Sequence, residues 1–151
     1  MIKISTKGLY GLKALYELTR RYGGQPLRIR DMAEMHDMPV PFLEQIMYSL
    51  RKSGLVESRR GPHGGYVLAR NPSHITIGDA VRVLDGPIAT CECFQSGRAK
   101  RINSVRISSC PIAGVSKKLT ERLEAAFDSI TLEEAAQANL EIEGGTHDEH
   151  H

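Results

Sequence analysis

Glu44, Gln45 and Tyr48, with Pro41 before them and Lys52 after, bring a carboxylate, an amide, a phenol and a cation into one short stretch. Together these groups can accept and donate hydrogen bonds at the edges of base pairs. The residues between them, Phe42, Leu43, Ile46, Met47 and Leu50, fall on one side when the chain is wound at about 100° per residue. The polar set is therefore the outer face of an amphipathic helix, predicted over 39–53 and stopped by Gly54 in a left-handed cap. The second chemically capable set is Cys91, Cys93 and Cys110. An odd count of three thiols, with no secretory signal visible ahead of them, points to ligands or reactive thiols more than to a disulfide framework.

The elements that must carry these residues can be read outward from that helix. After Gly54 come Leu55-Val56-Glu57-Ser58-Arg59-Arg60, then Gly61-Pro62-His63-Gly64-Gly65, then Tyr66-Val67-Leu68-Ala69-Arg70. Two β-prone runs around a Gly/Pro turn predict a hairpin. Ahead of the helix, Arg30 to His36 predicts a short helix burying Met32, Ala33 and Met35. Asp37-Met38-Pro39 predicts a turn, because the residue before proline is pushed out of the helical region. Helix, turn, helix and basic hairpin make a winged helix-turn-helix, a unit that leads its second helix into the major groove.

Upstream, Thr6 to Thr19 predicts a first helix through Leu9, Leu12, Leu15, Tyr16 and Leu18, ended by Gly23-Gly24. Gly8 and Gly11 weaken it, which suggests close approach of another backbone or a phosphate, or simply a frayed start. Pro26 to Ile29 predicts a short strand. Downstream, Thr76 and Asp79 form a capping box that opens a helix to Leu84. No helical period is visible from Gly86 to Ser109, apart from a marginal strand at Asn103 to Ile107. Pro111 suits a first helical position, making Cys110 the N-cap, where a thiol is favoured as thiolate. Ile112, Val115, Leu119, Leu123, Ala126 and Ile130 then recur at a mean near 3.6. A long helix with one apolar stripe needs a partner surface, and a second copy of the chain is the expected one. Thr131 and Glu134 form another capping box, for a short helix to about Leu140. The predicted architecture is mainly α with a small β-wing. It divides into a winged helix-turn-helix region at 1–75, a cysteine-bearing loop with dimerisation helices at 76–135, and a disordered tail at 141–151.

Charge supports a polyanionic partner. Residues 1–72 hold twelve Lys/Arg and six Asp/Glu, a net +6, and the remaining 8 Lys/Arg and 12 Asp/Glu of 73–151 give −4. The overall +2 thus conceals a basic front and an acidic back. With 40% hydrophobic and only 5% aromatic residues, the core is expected from Leu, Ile, Val and Met. No leader and no membrane span are visible, so a cytoplasmic location is expected. There is no C-x-x-C, no nucleotide-binding glycine motif and no pair of catalytic carboxylates, which argues against an enzyme.

ISTKGLYGLKAL, PVPFLEQIMYSLRKSGLVESRRGPHGGYVLAR, ITIGDAVRVLDG and the cysteines ahead of a long helix ending in ITLEEA resemble the IscR-like family of winged-helix transcription regulators. That family also takes in NsrR, RirA and CymR. The likeness covers roughly residues 1–135. It implies a homodimer on double-stranded DNA, with Pro41, Glu44, Gln45 and Tyr48 on the recognition helix, and Arg59, Arg60, Gly61, His63 and Gly64 on the wing. Ser5, Thr6 and Lys7 would touch phosphate. His63 stands where many relatives carry glycine.

The resemblance also implies an iron–sulfur cluster, probed by iron, redox state or nitric oxide, and here held by Cys91, Cys93 and Cys110, since thiolates are the ligands such clusters demand. A 2Fe-2S cluster is the preferred form. This chain departs from the pattern in three ways: one residue separates Cys91 from Cys93, Ala113 stands where a ligand histidine would follow the last cysteine, and the first sixteen residues contain no Asp, Glu or His. The fourth ligand is left open among Glu92, His36, His63, His74 and an exogenous thiol. A metal-free thiol switch, a zinc site, or a cluster-free regulator acting through a partner protein are the competing readings.

Overall fold

The computed structural model describes residues 3–88 and 111–145. In chain order these form α1 (Thr6–Arg20), α2 (Ile29–His36), α3 (Val40–Lys52), β1 (Val56–Arg59), β2 (Gly65–Leu68), a 3-10 turn (Pro72–His74), α4 (Ile77–Asp85), α5 (Ala113–Asp128) and α6 (Leu132–Gly145). The mainly helical winged-helix architecture expected from the sequence is the one observed.

Helix α3 contributes a continuous apolar stripe to the core. Leu43, Ile46, Met47 and Leu50 are each fully buried, and Phe42 packs half-buried against the same core. Burying four such side chains is worth ~1.5–3 kcal/mol each. The helix can begin at Val40 because Pro41, in its first turn, lacks an N–H that would have had no partner there. It ends in a Schellman arrangement: Leu55 N–H donates to Leu50 O and Gly54 N–H to Arg51 O, both at 3.0 Å, with Gly54 at φ 80°. That motif satisfies the last carbonyls and turns the buried Leu55 back under the helix.

β1 and β2 pair antiparallel from Val56↔Leu68 to Arg59↔Gly65. The strand expected over Pro26 to Ile29 shrinks to a bridge between Leu27 and Tyr66, because Ile29 already starts α2. Met35, expected in the core, is 47% exposed. With Met32 and Ala33 facing inward, position 35 lies about 110° from the middle of the buried arc.

α1 meets α4 through a notch. A Cβ on Gly11 would overlap the Leu84 side chain, and one on Gly8 would lie 2.8 Å from an Asp85 carboxylate oxygen. The two glycines therefore admit side chains from the end of α4, rather than a backbone or a phosphate. Both predicted capping boxes form. Thr76 N–H donates to Asp79 Oδ2 at 3.0 Å and Asp79 N–H to Thr76 Oγ1 at 3.0 Å. Thr131 N–H donates to Glu134 Oε2 at 3.0 Å and Glu134 N–H to Thr131 Oγ1 at 3.1 Å. The two helix starts are laced side by side, since Ile77 N–H donates to Ile130 O and Leu132 N–H to Ile75 O, each at 2.8 Å.

α5 begins later than expected. Pro111 lies in a turn, and Ile112 rather than Cys110 is the N-cap. The argument that a helix N-terminus activates Cys110 therefore loses its basis. α6 runs to Gly145, past Leu140, so the first five residues of the expected tail are helical. Cys91, Cys93, Cys110 and the marginal strand at 103–107 lie outside the described residues.

Candidate nucleic-acid interface

On the outer side of α3, Pro41, Glu44, Gln45 and Tyr48 are all exposed, as are Arg51 and Lys52. Four positions singled out from spacing alone thus share the face that the buried stripe leaves outward. Tyr48 is 56% exposed, and its ring is held from one side by the Arg51 guanidinium at 5.9 Å from the centroid. This cation–π contact restrains a large, mostly exposed side chain. Arg51 was not singled out from the sequence, although its place one turn after Tyr48 on the same face was legible. Face and helix are tied to α1 by an edge-on pair, Tyr10 and Phe42, with centroids 5.7 Å apart.

The wing carries Arg59 and Arg60 in the open. Arg59 sits 3.3 Å from Glu57, an exposed pair of little net worth that leaves the cation available to a stronger anion. His63 is exposed at the tip. The glycines have structural reasons of their own. Gly61 sits at φ 111° and accepts at its carbonyl from Gly64 N–H at 3.0 Å. A Cβ on Gly64 would overlap the Arg59 carbonyl. Gly61 and Gly64 therefore build the turn that presents the cations, which accounts for them without any contact to DNA.

At the start of α1 the three expected phosphate contacts divide. Ser5 is committed within the chain: its hydroxyl accepts from Gly8 N–H at 3.0 Å and donates to Asp85 Oδ1, while its N–H donates to Asp85 Oδ2 at 2.9 Å. Thr6 is exposed, Lys7 half-buried, and the first turn contains no acid. These two retain the electrostatics for a phosphate; Ser5 acts as the cap.

α5 and the residues flanking it carry a different surface. Ile112, Val115, Leu119 and Ile130 are 59, 60, 49 and 47% exposed. α5 is fastened to the body by Arg82, whose Nη1 and Nη2 donate to Asp128 Oδ1 and Oδ2 at 2.7 and 2.8 Å. This fork–fork pair holds the Asp128 carboxyl below the usual carboxylate range and raises the Arg82 guanidinium.

Of the fourth-ligand candidates, His36 Nε2 lies 3.1 Å from Glu17 Oε1, and Glu17 is buried. The pairing serves to satisfy a buried carboxylate, so His36 is committed. His63 and His74 are exposed on the wing tip and the 3-10 turn; Glu92 lies outside the described residues. Among the described residues no group of three His, Cys, Asp or Glu side chains is placed to hold a metal.

Comparison with known proteins agrees with this geometry. Residues 4–138 match the family described as Rrf2, iron-dependent transcriptional regulator. The chain is 39% identical over 136 residues to the HTH-type transcriptional regulator CymR of Bacillus subtilis strain 168, covering 89% of this chain and 90% of that protein. The solved structure of B. subtilis CymR, described as the global cysteine regulator, superposes with a TM-score of 0.72 at 35% identity, covering 91% of this chain and 98% of that one. The structure of T. potens IscR superposes equally well, TM-score 0.72 at 35% identity, covering 91% and 88%.

Proposed function

This chain belongs to the Rrf2 family of transcriptional regulators, and on that premise we propose that it reads a twofold-symmetric operator as a homodimer, with its three cysteines as the sensing element. It is a DNA-binding winged-helix regulator and not an enzyme. The observation that carries the proposed mode of reading is the division of α3. Leu43, Ile46, Met47 and Leu50 of its apolar stripe are fully buried while Pro41, Glu44, Gln45 and Tyr48 stand outward, ahead of a cationic wing.

In this reading Glu44 and Gln45 meet base edges, Tyr48 is held ready by Arg51, and Arg59, Arg60, Thr6 and Lys7 bind phosphates. Dimerisation runs through α5, whose exposed Ile112, Val115 and Leu119 have a second copy as the economical cover. The twofold axis then sets the spacing of two half-sites. Among the described residues no helix is long and apolar enough to cross a membrane, and the proposed place of action is the cytoplasm, with DNA. Binding to genomic fragments by wild type and by Gln45→Ala tests this. The variant should lose preference among sequences while keeping its non-specific affinity; equal preference would contradict the assignment of α3.

For the sensor, Cys91, Cys93 and Cys110 are proposed to hold an iron–sulfur cluster, preferably 2Fe-2S. The donor chemistry fits, because thiolates ligate such clusters and this chain supplies three. When bound, the group would supply a charge and redox state that the protein converts into DNA affinity. The fourth ligand is then Glu92, His63, His74 or an exogenous thiol, since His36 already serves Glu17. An anaerobic absorption spectrum with iron and acid-labile sulfide assays should show visible absorption that Cys110→Ser removes. A second reading draws on the likeness to the B. subtilis cysteine regulator: the same thiols act as a metal-free switch or respond through a partner protein. Colourless protein that resists reconstitution, with Cys91→Ser leaving DNA binding unchanged, would favour a partner protein.

A further inference from the structure

The wing is two strands of four residues each, and a lone two-stranded hairpin is marginal in water. Its posture has to be fixed from outside. The first hold is the bridge from Leu27, whose N–H donates to Tyr66 O at 3.0 Å and whose carbonyl accepts from Tyr66 N–H at 2.8 Å. A Cβ on Gly65 would lie 2.6 Å from the Leu27 carbonyl oxygen, so this seam is tight. It grips only the strands, and the ladder ends at Arg59↔Gly65. Residues 60–64, which carry Arg60 and His63, extend beyond it.

The second hold reaches that tip. Arg28 Nη2 donates to the carbonyl of Pro62 at 2.6 Å, across 34 residues of chain. Arg28 is the N-cap of α2, and its own carbonyl accepts from Met32 N–H at 3.1 Å, with Met32 fully buried. One end of the link is thus rooted in the helix-turn-helix and the other ends on the wing tip. A charged donor on a carbonyl makes a stronger bond than a neutral one. Arg28 belongs to the basic front, yet its geometry is that of a brace.

We propose that Arg28 is a positioning residue for DNA binding: by tying Pro62 to the start of α2, it holds Arg60 and His63, beyond the end of the ladder, at a fixed angle to the face of α3. The inference rests on the reading of the wing as a DNA contact given above. It predicts that removing one cation costs more than one phosphate contact, because the tip is released with it.

The test is hydroxyl-radical footprinting and salt-dependent titration of the full chain on an enriched genomic fragment. The proteins compared are wild type, Arg28→Met, Arg60→Ala and the double variant, with Arg28→Gln as a second replacement should the methionine perturb folding. Thermal melts of the exposed-site variants should match wild type. Arg28→Met should bind on the order of tenfold more weakly, with a salt slope reduced by more than the roughly one unit of a single lost phosphate contact. Its footprint should lose the wing-protected sugars and keep those under α3. The Arg28 substitution should cost far less in the Arg60→Ala background, the signature of coupled groups. Additive losses with an intact footprint would make Arg28 an ordinary phosphate contact and overturn the proposal, as would unchanged binding. A wild-type footprint with no wing protection would overturn the reading of the wing itself, and this proposal with it.

Discussion

α3 and α5 are both amphipathic helices with an apolar stripe at helical spacing, yet one stripe is almost wholly covered and the other is not. In α3, Leu43, Ile46, Met47 and Leu50 show no exposed surface; in α5, Val115 and Leu119 are 60 and 49% exposed. Both patterns state that a face wants cover, and neither states whose. α3 finds its cover in α1, α2, α4 and β1 of the same chain, which frees its polar side for a ligand. α5 is pinned to the body by Arg82–Asp128 and leaves its apolar side exposed. In the proposed dimer, the contrast separates what makes the subunit fold from what makes it assemble.

Substitution in the two stripes should break that contrast in opposite ways. Ile46→Ala opens a cavity in the core and should lower the unfolding free energy by ~2–5 kcal/mol in chemical denaturation. Leu119→Asp should leave the stability of the isolated subunit within ~0.5 kcal/mol of wild type while abolishing association in sedimentation. A comparable loss of folding stability in both would erase the distinction. On the polar side of α3, Gln45→Ala should cost ~1–3 kcal/mol against the preferred operator in competition binding. Arg59→Ala should weaken every sequence alike and reduce the salt slope by about one.

The smallest effect belongs to the fastening of α5. The Arg82 hydrogen bonds favour ionised Asp128, whose folded pKa is lowered. Its contribution is therefore complete above the unfolded carboxylate value near pH 4 and is lost as pH falls through the lower folded value. Both side chains are partly exposed, so Asp128→Asn should cost below ~1 kcal/mol near neutral pH. That difference should vanish in acid when melts are followed across the range.

Local signals were legible and distant ones were not. The stripe and outer face of α3, the Gly54 stop, the hairpin and both capping boxes depend on residues a few positions apart, and each forms as expected. Met35 misled because an eight-residue helix does not reveal the width of its buried arc. Gly8 and Gly11 signalled close approach, but their partners, Leu84 and Asp85, are contributed by α4. Ser5 was assigned to phosphate by family resemblance; the carboxylate that occupies it comes from Asp85, 80 residues away. Arg28 looked like one more surface cation, since nothing in its neighbourhood of sequence names Pro62. The start of α5 was misplaced because proline permits a first helical turn without enforcing one.

The account turns on α3 reading DNA from a dimer that α5 assembles. Its most direct test is the mass of wild type and Leu119→Asp, free and on the operator, by sedimentation equilibrium. Wild type should weigh two chains in both states, and the variant one chain with its operator affinity lost and its melt retained. A variant that stays dimeric, or a monomer that binds the whole operator as tightly as wild type, would contradict the account.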